Sequence, residues 1–182
     1  MPTLPAAWGV WGYGTAALTY GLHLLTGFPR AENEEQAKKI RAALVANGFA
    51  FGGIAQFVTG VLIFVLYNDI VGATTFGIFG VLWTAIWLND YFNLDPRPLV
   101  FLDISIAIWT FFAGFWNLYL GHPAIAALMW SICALVIALC WVHGKNKGHR
   151  VAGAWAFENA LLCFYIAGAI VSSSIGALHL PY

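Results

Sequence analysis

Residues 124–143 read AIAALMWSICALVIALCWVH, twenty positions without one charged side chain. An α-helix rises about 1.5 Å per residue, so roughly 20 apolar residues cross a hydrocarbon core of about 30 Å. This stretch is expected to span a bilayer, and comparable runs occupy 7–26, 43–66, 72–88, 99–120 and 151–174. Among 182 residues, 61% are hydrophobic and 9% charged, far from the usual globular mix. Spans and short loops use up the length. The sequence therefore predicts an all-α fold, a polytopic six-transmembrane-helix bundle forming one domain over 1–182. The opening MPTLPAAWGVWGYG has no basic run before its apolar part, so it is expected to begin the first helix and not to be a cleaved signal.

The basic residues set a direction. Arg30, Lys38, Lys39 and Arg41 fall in loop one, Arg97 in loop three, and Lys145, Lys147 and Arg150 in loop five. By the positive-inside rule these loops face the cytoplasm, with both termini extracytoplasmic, in a cytoplasmic (inner) membrane. Loop two (Tyr67–Val71) and loop four (Gly121–Pro123) are very short, so the helices they join should be antiparallel neighbours. Loop one contains PRAENEEQAKKIRAA, with Glu34/Lys38 and Glu35/Lys39 spaced as i,i+4 pairs, and reads as a solvated extension of the second span. Tyr13, Tyr20, Tyr67, Tyr91 and Tyr119 lie near span ends, as an interfacial aromatic belt would.

Packing in lipid relies on small residues, and Gly9/Gly12/Gly14, Gly48/Gly52/Gly53, Gly72/Gly77/Gly80 and Gly153/Gly168 supply them. Trp109/Phe112/Trp116 form an aromatic stripe that reads as a packing or oligomer face. Cys133, Cys140 and Cys163 lie inside apolar segments, so neither a disulfide nor a metal framework is implied. His23, His122, His143, His149 and His179 fall at span ends without ligand spacing. Heme-binding helices would need histidines facing one another at depth, so no cofactor and no metal are expected, and no nucleic-acid partner either.

What remains is a set of polar groups at membrane depth, each needing a partner. Glu158 lies eight residues beyond Arg150, about 12 Å into the membrane, beside Asn159. It reads either as a tie between helices or as a group on a solute path. Gln56, Asn47 and Thr84 carry the same two readings. Asp103, four residues into the fourth span, is expected at the interface, within reach of water or Arg97. A narrow passage lined by aromatics such as Tyr13, Trp83 and Trp130 would admit small uncharged molecules and reject hydrated ions. The expected pathway residues are thus Glu158, Asn159, Gln56, Tyr13, Trp83, Thr84 and Trp130. An enzyme is not expected.

Several of these segments resemble a known family. GGIAQF at 52–57, preceded by Phe49 and Phe51, resembles the second-span signature of the acetate uptake transporter family. ATTFG at 73–77, IAIWTFFAG at 106–114, NALLCFYIAGA at 159–169 and PAAWGVWGYG at 5–14 resemble its other spans. Leu4 and Ala7 depart from that family's Asn-Pro-Ala-Pro-Leu-Gly opening. A second resemblance is to the urea and short-chain amide channels. It rests on LWTAI at 82–86, LDPRP at 94–98, the pair Trp130 and Glu158, and the odd-loop placement of basic residues. These resemblances imply a homo-hexameric ring in the lipid bilayer with one pore per protomer. The cargo they imply is acetate or a similar short monocarboxylate, with or without a proton, and alternatively urea or a short amide.

Overall fold

The computed structural model describes residues 3–177 and 180–182, so His179 lies outside the described residues. The chain forms seven α-helices and one π-helical segment, with no strand among the described residues. They are α1 (Leu4–Thr26), α2 (Glu34–Asn47), α3 (Ala55–Tyr67), α4 (Ile70–Tyr91), α5 (Leu99–Tyr119), α6 (Pro123–Lys145) and α7 (His149–Ser174). The π-helical turns Gly48–Ile54 fuse α2 and α3 into one continuous rod, leaving six rods in the bundle.

Local chemistry explains the ends. Thr3 caps α1 and Pro5 sits in its first turn, where its missing N–H is not needed, while Gly27 closes the helix at φ 71°. Asn33 accepts from Gln36 N at 2.9 Å to start α2, and Asp69 accepts from Gly72 N at 2.9 Å to start α4. Of the two ion pairs expected on α2, Lys39–Glu35 forms at 2.6 Å, whereas Glu34 and Lys38 do not pair. Arg41 instead ties α2 to α4 through Asp90 at 3.2 Å.

Five rods are long and apolar enough to cross a membrane: Glu34–Tyr67, Ile70–Tyr91, Leu99–Tyr119, Pro123–Lys145 and His149–Ser174. The protein is therefore an integral membrane protein. Helix α1 is not among those five rods; its Gly9, Gly12, Tyr13, Gly14, Ala16, Ala17 and Gly21 face neighbouring helices. Its main partner is α7, with the π-helical turns and α3 on its other side.

Small residues set these approaches. A Cβ on Gly153 would stand 2.6 Å from Leu25 N and 2.9 Å from Gly21 O, so α1 and α7 meet backbone to backbone. The packing reading fails at Gly77 and Gly168, where added atoms would meet nothing within 4 Å. The aromatic belt also needs correcting. Tyr67, Tyr91 and Tyr119 are exposed at helix ends, but Tyr13 is buried and Tyr20 packs on Trp83 at 5.2 Å, inside the bundle.

Candidate functional site

Two chambers enter the bundle from opposite ends. The first, of about 170 Å³, is lined near its mouth by Thr3, Asp69, Asn117 and His122, so it opens toward the face that carries the termini. The second, of about 560 Å³, is lined by His23, Arg41, Asp90, His143 and His149, so it opens toward the face of loops one, three and five. We refer to these as the termini face and the basic face. Tyr13 is the residue common to both linings.

Tyr13 is 3% exposed, and its ring lies 5.4 Å from Phe79 and 6.1 Å from Trp83. Phe79 and Trp83 stand one turn apart on α4, Phe79 bordering the first chamber and Trp83 the second. On α6 and α7 the same division separates Ile132 and Cys163 from Leu135 and Ala156. The barrier between the chambers is thus apolar and aromatic. A hydrated ion would have to shed its water there without replacement, at a cost of several kcal/mol or more.

Two polar groups flank this barrier. Gln56 is fully buried and lines the first chamber, and its Nε2 donates to Gly9 O at 2.6 Å. A carbonyl accepts only, so the amide nitrogen must face Gly9, and Oε1 is the end left without a partner. Gly9 permits this approach, because a Cβ there would sit 2.6 Å from Thr59 Cγ2. On the other side, Trp83 lines the second chamber with its indole Nε1 buried and unpartnered. One free acceptor and one free donor therefore bracket Tyr13.

The remaining expected residues line neither chamber. Glu158 is half-buried between α6 and α7, where the Ser131 hydroxyl donates to its Oε2. Asn159 Nδ2 donates to Ser131 Oγ at 2.9 Å and to Trp155 O at 2.7 Å, completing a polar knot that ties the two helices. Thr84 faces the π-helical turns beside Gly53, its hydroxyl without a partner. Trp130 lies against Phe115 at 5.2 Å, and its Nε1 donates to Phe111 O at 3.2 Å. Asn47 accepts from Thr19 at 3.4 Å, a helix-to-helix bond.

One assignment is overturned. Asp103 meets neither water nor Arg97: it is fully buried, and Arg97 is taken by Asp95 in its own loop. That pairing holds the Asp95 carboxyl down to about 2, through the side-chain and backbone hydrogen bonds with Arg97. Asp103 instead meets His143 Nδ1 at 2.7 Å, and His143 borders the second chamber. Among the described residues no cluster of His, Cys, Asp or Glu could hold a metal ion.

No family model and no curated protein matches the chain. Among solved structures it is similar to that of the bacterial acetate channel SatP, at 21% identity over 98% of both chains and a TM-score of 0.80. The chain has the fold of that channel.

Proposed function

We propose that the protein is a membrane channel for a small neutral solute, and that the solute is a short monocarboxylic acid such as acetic acid, crossing in its protonated form. The shared fold with an acetate channel and the motif resemblances to the acetate uptake transporters support this cargo. The observation that carries it is that Gln56 on one side of Tyr13 keeps a free acceptor, Oε1, and Trp83 on the other side a free donor, Nε1. A carboxylic acid can give its O–H to the first on one side of the barrier and accept through its C=O from the second on the other. Its anion has no hydrogen to give to Gln56.

Magnitudes favour the protonated form. A carboxyl of ordinary pKa is about 2.7 units below neutrality, so carrying it as the acid at pH 7 costs roughly 4 kcal/mol. Carrying the bare anion through an apolar constriction costs several kcal/mol even after relaxation and on the order of 20 in the dry limit. The proton is the cheaper companion. Glu158 and Asn159 act in this reading as the tie that fixes α7 against α6, with Tyr13, Gln56 and Trp83 as the passage.

The test is flux into vesicles containing the purified protein, against protein-free vesicles, for acetate, formate, acetamide and urea between pH 5 and 8. Protein-dependent acetate flux should rise about tenfold for each unit of acidification above the carboxyl range. Absence of protein-dependent acetate flux at every pH would overturn the cargo.

A further inference from the structure

Asp103 is the carboxyl group that the bundle buries completely, and the passage described above makes no use of it. It sits on α5, with Oδ2 2.7 Å from His143 Nδ1 on α6 and Oδ1 without a partner. A carboxylate only accepts, so Nδ1 of the ring carries the hydrogen. Nε2 is then the nitrogen left over, and it has no partner among the described residues. The His143 side chain is 10% exposed, and it borders the 560 Å³ chamber on the basic face.

This arrangement fixes what the chamber sees. With the tautomer set by Asp103, the neutral ring presents an Nε2 lone pair, and the charged ring presents an N–H. The other ionisable groups around the chamber are committed or unsupported. Arg41 is paired with Asp90, His23 Nδ1 lies 3.3 Å from Phe28 O, Tyr20 packs on Trp83, and His149 has no acid against it. Cys140, one turn away on α6, brings no charge that would compete.

We propose that His143 Nε2 is the proton acceptor for a short-chain carboxylic acid that has crossed the barrier, and that Asp103 is its positioning residue. The O–H bond of the acid breaks and the Nε2–H bond forms, with the electron pair left on the carboxylate oxygen. That oxygen stays hydrogen-bonded to the new imidazolium, whose charge Asp103 balances. An amide or urea has no such proton to give, so the site separates acids from amides where the barrier does not. This inference rests on the reading of the chain as an acid passage.

Nitrogen-15 spectra of histidine-labelled protein in lipid bilayers at neutral pH test it, with the His143 signal identified by its loss in His143→Gln. Added acetate should convert that signal from neutral ring to imidazolium, and added urea should not. Asp103→Asn, which keeps the shape and removes the charge, should raise the acetate concentration needed about tenfold. No conversion by acetate, equal conversion by urea, or an unchanged requirement in Asp103→Asn would overturn the assignment. Acetate flux separates the two readings: its absence from the native protein removes the passage, whereas equal saturation in native and His143→Gln vesicles removes only this site.

Discussion

Tyr13 holds its place through the glycines around it. A Cβ on Gly12 would stand 2.8 Å from Phe51 O, and one on Gly52 would overlap the indole of Trp83, so both rings depend on bare backbone for their room. Gly52→Ala is expected to push Trp83 toward Tyr13 and narrow the passage, cutting solute flux several-fold at a stability cost of about 1–3 kcal/mol. Unaltered flux in a folded variant would remove Trp83 from the pathway. Gln56→Leu keeps the bulk and deletes the free acceptor, and acid flux should fall about tenfold. On the termini face, burial pushes the His122 imidazole below its ordinary value. Its folded form is then harder to protonate than its unfolded form, so stability present at neutral pH is lost on acidification through the histidine range. His122→Gln should flatten that slope in thermal melts between pH 7 and 5. Of these residues, Gln56, Tyr13 and Trp83 were legible in the sequence as polar or aromatic groups at depth. Glu158 was more conspicuous, yet depth along a helix says nothing of the face a residue takes, and its face meets α6. The sequence does carry a signal for the Asp103–His143 contact. Both lie about twenty residues from the short turn of loop four, and an antiparallel hairpin brings such positions level.

At the scale of elements, the contact between α1 and α7 determines how much of the bundle can move. Gly21 and Gly153 let the two backbones touch, and any larger side chain must drive them apart. Gly153→Leu is expected to destabilise the protein by about 3 kcal/mol or more, whereas Gly168→Ala, on the same helix in open space, should stay within roughly 0.5 kcal/mol of the parent. Thermal unfolding in detergent compares the two, and equal stability would mean that α1 is not held in this way. The six rods were legible because each carries its own apolar run. Two features were not. The burial of α1 among other helices is a matter of which face its glycines and alanines take, and composition alone does not carry it. The π-helical turns follow from GFAFGGI, where three glycines within seven residues let the backbone relax to the wider i→i+5 pattern and bring Gly48 and Gly52 under Tyr20 and Trp83.

For the whole molecule, the two chambers differ in charge. The titratable side chains of the chamber on the termini face are Tyr13, Cys163, Asp69, which caps α4, and His122, whose protonation burial disfavours. The chamber on the basic face carries Arg41, Asp90 and three histidines, and all eight Lys and Arg lie at that end of the sequence pattern. We expect this end to face the cytoplasm, since translocating so many bases during insertion is unfavourable. The orientation then matters for the passage. An acid arriving from outside would meet the chamber on the termini face first, cross the Tyr13 barrier as the acid, and give up its proton where charge is tolerated. Single-cysteine labelling with a membrane-impermeant thiol reagent tests the orientation, because Cys133, Cys140 and Cys163 all lie within α6 and α7, away from the loops. Thr3→Cys should react in intact cells and Lys147→Cys only after the membrane is opened. The reverse pattern would place the histidine-lined chamber outside, and proton release would then precede the barrier, which an acid crossing inward could not survive.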